Sequence, residues 1–311
     1  MNTAVEGFSL GRLKVAPLFR DYAELTKSRI TTLIVITAWC GFFFGARQAG
    51  EPAISWRLLH ALLGIALVSS GTAALNEVME HDVDRKMRRT ARRPIPAGRM
   101  SLLHATVVGS LFTIGGSIYL IFFTNWLTGL LTFLTSVVYL AAYTPLKRVS
   151  PICTFVGAFP GAMPAVLGWT AARGRLDWGA LILFAILFLW QFPHFFAIAW
   201  LYREDYAKGA IRMLPVVEPD GRSTSFRIML YSLVLVPASL IPALLSMTGK
   251  IYFGGAALLG VVFLYFAARL IILNLPVNDV RSKVRARQLF RYSILYLPLL
   301  FALMMSDSVR W

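Results

Sequence analysis

Nine stretches of mostly apolar residues recur along this chain, and they constrain it more than any other feature. They fall at about 30–47, 58–79, 101–123, 126–144, 152–171, 178–202, 226–247, 251–273 and 292–307. A helix needs about 20 residues to cross a hydrocarbon layer roughly 30 Å thick. Inside that layer each backbone N–H and C=O must find its partner within the protein, which leaves helices or a closed barrel. Continuous apolar runs of this length belong to helices. The expected fold is an all-α integral membrane bundle of nine transmembrane helices. Charged residues make up only 15% of the chain, against about 25% in a soluble domain. Short connections leave no linker, so residues 30–311 read as a single polytopic domain.

Lysine and arginine set the orientation. Twenty-four of the 31 lie before the first span, in the loops after spans 2, 4, 6 and 8 or, as Arg227 does, at the inner start of span 7. The positive-inside rule then puts the N-terminus in the cytoplasm and, with nine spans, the C-terminus outside. The same rule accounts for the net charge of +16, and no nucleic-acid partner is expected. Residues 1–29 read as a cytoplasmic lead-in. They lack the apolar core of a cleavable signal, and a bacterial inner (cytoplasmic) membrane is the expected location. Cys40 and Cys153 share no short spacing, so neither a disulfide framework nor a cysteine metal site is indicated.

The acids collect with the bases. Glu77, Glu80, Asp82, Asp84, Glu204, Asp205, Glu218 and Asp220 fall at or beyond the inner ends of spans 2 and 6. Continued as a helix, span 2 places Asn76, Glu80 and Asp84 four residues apart on one stripe, with Glu77 beside Glu80. Oxygen ligands on one helix face suit Mg²⁺, which usually binds through a few carboxylates plus substrate phosphates. Arg85, Lys86, Arg88, Arg89, Arg92 and Arg93 follow, and Pro94 and Pro96 stop the helix. Arginine forks match phosphate oxygens. The pattern fits a diphosphate site. A salt-bridge network on a solvated helix end is the plainer reading, but Asn76 lies deeper than such a network needs.

A second constellation runs Trp190-Gln191-Phe192-Pro193-His194-Phe195, then Tyr202 to Tyr206. Pro193 is expected to kink span 6 beside His194, and Asp205 stands at the mouth as a second possible ligand. A histidine bonded between helices with a merely solvated Asp205 is equally readable from spacing. Span 5, with Pro160, Pro164, Gly157, Gly161 and Gly168, is expected to be a broken helix or a close helix contact. Lys147 and Arg148 end span 4 on the inner side, within reach of a phosphate. His60, His81 and His104 have no partner in the pattern.

These residues resemble a known family. Asn76-Glu77-x-x-Glu80-x-x-x-Asp84 is similar to the first acidic motif of the intramembrane, UbiA-like prenyltransferases. Asp84-Arg85-Lys86-Met87-x-Arg89-Thr90-x-x-Arg93-Pro94 resembles the haem-farnesylating branch of that family, the haem O synthases. So do Tyr143-Thr144-x-x-Lys147-Arg148, Trp190-Gln191-x-Pro193-His194-Phe195, and Asp205-Tyr206 followed by Met213-Leu214-Pro215. Departures exist: Glu77 and Glu80 stand where the wider family often has aspartate. His194 stands where other branches carry an aspartate of a second acidic motif, as the haem-using branch does.

The resemblance implies a nine-helix prenyltransferase bundle that joins the farnesyl group of farnesyl diphosphate to a vinyl group of haem b, with water capture. It implies Mg²⁺ as cofactor, held by Glu77, Glu80, Asp84 and Asp205. Arg85, Arg89, Arg93, Lys147 and Arg148 would hold the diphosphate, and Asn76, Glu80, Asp84, His194 and Asp205 would form the catalytic set. The lipid bilayer is the setting, and haem-modifying or terminal oxidase assembly proteins are the expected partners. Prenylation of a quinone precursor is the nearest alternative, against which His194 speaks. A transporter would need polar groups near mid-membrane, whereas here they gather at one face. A haem electron-transfer protein would need two histidines at matching depth.

Overall fold

The structure, a computed structural model, describes residues 15–273 and 275–309. The first fourteen residues of the lead-in and the last two of the chain lie outside the described residues. Helix α1 (Val15–Leu25) leads into α2 (Ser28–Ala49), α3 (Trp56–Asp84) and α4 (Leu102–Phe123). Helix α5 (Trp126–Val137) widens into a π-helical turn over Val138–Tyr143 and ends in α6 (Thr144–Leu146). Then come α7 (Cys153–Arg173), α8 (Trp178–Leu201), the short α9 (Arg203–Lys208) and α10 (Leu214–Val217), α11 (Arg222–Leu244), α12 (Lys250–Leu273) and α13 (Val280–Ser306). Among the described residues, nine helical runs are long and apolar enough to cross a membrane. The only extended pairing among them is an isolated bridge between Thr248 and Ser308. This is an all-helical, multi-pass membrane protein.

The helices outrun the apolar stretches. Helix α3 carries its polar end to Asp84, and α13 starts at Val280, a dozen residues before the apolar run. Asp279 caps α13 by accepting from Arg281 N at 2.7 Å, which satisfies a free first-turn donor. Neither α7 nor α8 breaks: both run unbroken past their internal prolines.

Contacts sort the helices into two units, α3, α4, α5 and α7 in one and α8, α11, α12 and α13 in the other. Helix α7 joins them along α8, and α2 lies along α7. Glycine makes that last seam possible. A Cβ on Gly168 would stand 1.8 Å from Ala38 O, and one on Gly41 would stand 1.9 Å from Ala165 O. Small residues let backbones approach where lipid offers no hydrophobic push. Span 5 is thus a close helix contact, not a broken helix.

The outside is apolar, with Phe122, Leu258, Val261 and Ile272 all exposed. Trp56, Trp126 and Trp178, each at least 64% exposed, start α3, α5 and α8 at the end opposite the basic loops. Such tryptophans anchor a membrane–water boundary.

Candidate active site

Helix α3 brings its acids to the basic end in a sealed condition. Asn76 and Glu77 are fully buried, Asp84 is 1% exposed and Glu80 7%. A solvated salt-bridge network would leave them open. Each is instead met by a donor from another part of the chain. Lys147, at the end of α6, places Nζ 2.8 Å from Glu80 Oε1 and 3.1 Å from Oε2. Arg93 donates to Asp84 Oδ2 at 2.6 Å. Ile95 N donates to Glu77 Oε1 at 3.2 Å, while Glu77 Oε2 is buried with no partner.

The 85–100 segment reaches back over the helix end to do this. Thr90 Oγ1 donates to the Asp84 carbonyl at 2.9 Å, and Ile95 packs with Leu25, Ala74 and Ala105. Arg99 ties the same segment to α1 through Asp21 at 2.9 Å and Glu24 at 3.2 Å.

Lys27 joins from the α1–α2 junction. Its Nζ donates to Asn76 Oδ1 at 2.7 Å, and Asn76 Nδ2 donates to Thr144 Oγ1 at 3.1 Å. Burial first, then the positive Arg93 and Lys147, push its pKa down from 10.5 to about 7, against the pull of Glu80 and Asp84. Lys147 goes the other way. Burial opposes its charge, but Tyr143, Tyr139 and its partner Glu80 hold it protonated above the ordinary lysine value. The Tyr143 ring centroid is 4.5 Å from Lys147 Nζ. The π-helical turn lies directly before Pro145, which has no N–H to continue the ladder, and it puts Tyr139 and Tyr143 in line with Lys147. Such turns often occur at functional sites.

Buried carboxylates interleaved with lysine and arginine, at the end of an apolar bundle, have the chemistry to meet both a polyanion and a divalent cation. The sequence matches the model of the UbiA prenyltransferase family over residues 34–303. The chain belongs to the UbiA prenyltransferase family. A Koribacter versatilis relative named "Protoheme IX farnesyltransferase" is 58% identical over 99% of both chains. A Solibacter usitatus relative of the same name is 48% identical over 93% of this chain and 98% of its own. Among solved structures, a digeranylgeranylglyceryl phosphate synthase superposes with a TM-score of 0.77 at 17% identity, covering 94% of this chain and 99% of that one. A UbiA homolog from Archaeoglobus fulgidus bound to GPP and Mg²⁺ gives a TM-score of 0.59 at 17% identity, with 91% and 99% covered. At these identities the structures speak for the UbiA fold alone.

Within this UbiA bundle the residues singled out from sequence do not all meet. Asn76, Glu77, Glu80, Asp84, Arg93 and Lys147 are together. Asp205 and Arg89 stand apart, lining a pocket of about 620 Å³ with Arg88, Arg92, Tyr202 and Glu204, where Arg89 lies over Tyr202 and Tyr206. Arg85 is exposed, and Arg148 donates to the Met79 carbonyl at 3.3 Å. His194 turns to α13, with Nδ1 2.8 Å from Ser293 Oγ. Among the described residues no three of His, Cys, Asp and Glu are gathered as a metal-ligand set. Lys27 is the site residue that sequence reasoning passed over.

Proposed function

We propose that this chain transfers the farnesyl group of farnesyl diphosphate to a vinyl group of protohaem IX, forming haem O and diphosphate. The observation that carries the reading is the buried row of α3 carboxylates, each already bonded by a donor that a diphosphate could claim. The near-full-length relatives named "Protoheme IX farnesyltransferase" support haem as the acceptor.

In the reaction the farnesyl carbon–oxygen bond breaks and its electron pair leaves with the diphosphate. Lys147, Arg93 and Lys27 swing their donors from Glu80, Asp84 and Asn76 to phosphate oxygens, and Arg89, Arg85 and Arg148 extend that positive rim. Fixed donors aimed at developing charge are worth most where water is excluded. The vinyl group attacks the allylic carbon, and a water captures the resulting cation and loses a proton, with His194 as its acceptor-side residue. Asn76 orients Lys27.

Glu80 and Asp84, one turn apart, would hold Mg²⁺ with Glu77 beside them, whereas Asp205, on the pocket that Arg89 lines, would join as a ligand only once the diphosphate fills the space between. The unpartnered, buried Glu77 Oε2 fits that assignment. Mg²⁺ usually takes one or two protein carboxylates and draws other ligands from substrate phosphates and water, so a ready-made three-acid cage is not required. When bound, the ion supplies Lewis-acid neutralisation of the leaving group. The site faces the cytoplasm of a bacterial inner membrane in this reading. Residues 1–29 form the lead-in to a single domain, 30–311, and proteins of haem modification or terminal oxidase assembly receive the product.

The test is direct. Purified protein is incubated with haem b, farnesyl diphosphate and Mg²⁺, and products are read by mass spectrometry. The hydroxyethylfarnesyl adduct is expected. Prenylation of a hydroxybenzoate with no haem adduct would transfer the chain to the aromatic-acceptor branch.

A further inference from the structure

His194 makes its polar contact on the side of α13, where proton counting fixes its chemistry. Ser293 Oγ lies 2.8 Å from His194 Nδ1 and 2.7 Å from the Phe290 carbonyl oxygen. A serine hydroxyl has one hydrogen and two lone pairs, and a carbonyl oxygen has no hydrogen. Two oxygens 2.7 Å apart need a hydrogen between them, and only Ser293 can supply it. With that proton committed to Phe290, Ser293 can only accept from His194. The ring proton of the neutral histidine is therefore on Nδ1, and the lone pair is on Nε2.

The surroundings hold this arrangement in place. Trp190 stacks on the His194 ring at 4.6 Å and 22°, and Phe290 lies on it at 5.2 Å and 34°. Trp190 Nε1 donates to the Ser293 carbonyl at 2.9 Å, which ties the stacking ring to the hydroxyl's own residue. Ser293 is fully buried, so water does not compete for its hydroxyl. No described residue bonds Nε2, and Nε2 is not among the sealed, unpartnered atoms.

We infer that Ser293 is a positioning residue for the acceptor half of the reaction, fixing His194 as the Nδ1–H tautomer and leaving the Nε2 lone pair open to a proton or to haem iron. This rests on the proposed role of His194 in haem farnesylation; the tautomer itself does not. A residue that bonds the far nitrogen of a working histidine commonly sets its tautomer and ring orientation. Here a neutral hydroxyl does so, already oriented by its own helix.

The experiment has two arms. In the first, the full chain is labelled with ¹⁵N-histidine in detergent, and the ring nitrogens are read by NMR. With four histidines in the chain, the His194→Ala spectrum identifies the signal of His194. A pyrrole-type Nδ1 and a pyridine-type Nε2 are expected in the unsubstituted protein, preserved in Ser293→Thr and mixed or inverted in Ser293→Ala. In the second arm, Ser293→Ala lowers kcat for haem farnesylation about three- to tenfold, the size of one neutral hydrogen bond, with KM for farnesyl diphosphate unchanged. Ser293→Thr restores the rate. A protonated Nε2 in the unsubstituted protein overturns the inference, and so does an unaltered His194 pattern in Ser293→Ala. Equal effects on kcat and on KM for farnesyl diphosphate, without rescue by threonine, overturn the positioning role. Absence of any haem adduct removes the proposed function and this role with it, while the first arm still decides the tautomer.

Discussion

Lys27 occupies the left-handed backbone region, with φ 47° and ψ 49°, a conformation that costs a non-glycine residue about 1 kcal/mol or more. The strain turns α1 into α2 and delivers an ammonium to Asn76. A base with a pKa near 7 keeps its proton below pH 7 and loses it above, where an ordinary lysine would stay charged to about pH 10. Pyrophosphate affinity of the free protein should therefore fall as pH rises through 7. Lys27→Met should weaken binding at pH 6 by about tenfold or more, the scale of one charge-assisted hydrogen bond, and abolish the step. Calorimetry across pH checks both, and a step that survives in the variant refutes the assignment. The Glu80–Lys147 pair gives a second prediction. Glu80→Gln strands a buried ammonium, at a cost of about 3–5 kcal/mol. It should lower the melting temperature and end turnover. Adding Lys147→Met should recover much of the stability and none of the activity. Spacing made the Asn76, Glu80 and Asp84 stripe legible. Lys27 was not, because membrane topology alone already explains a lysine before a first span. Nor does any periodicity show that 85–100 turns back to put Arg93 on Asp84.

At the scale of the element, the α2–α7 seam links packing to chemistry. A side chain at Gly168 meets the Ala38 carbonyl, so Gly168→Leu must push α2 away, and α2 carries Lys27 at its start. The expected result is a marked drop in thermal stability together with a raised KM for farnesyl diphosphate in whatever protein remains folded. A normal KM would show that the seam does not set the position of Lys27. The nine helices themselves were legible, since apolar runs of this length have one solution in lipid. Their ends were not. Helix α13 extends through Arg281, Lys283, Arg285, Arg287 and Arg291, a stretch that hydropathy cannot see and the Asp279 cap sustains. The π-helical turn before Pro145 likewise leaves no trace in composition. The prolines of span 5 left two readings open, and the structure takes the close contact, because α7 runs unbroken past Pro160 and Pro164.

For the whole molecule, charge and aromatic asymmetry agree: the basic loops and the tryptophan starts of α3, α5 and α8 lie at opposite ends. Both native cysteines are buried, so single cysteines at the surface report cleanly. Lys86→Cys should react with a membrane-impermeant maleimide only from the cytoplasmic side, and Ile54→Cys only from outside; the reverse pattern would invert the bundle. Glu80 and Asp84 are neutralised by Lys147 and Arg93 from within. A lone divalent ion must evict those cations, and a lone pyrophosphate must strip them from their acids. Arriving jointly, each ligand releases what the other needs. Thermodynamic reciprocity then requires that each raise the affinity for the other by the same factor, between about five- and 150-fold for ordinary coupling energies. Mg²⁺ titrated alone should bind weakly and tighten by that factor once pyrophosphate is present, so that the enzyme at rest holds neither and commits to both together.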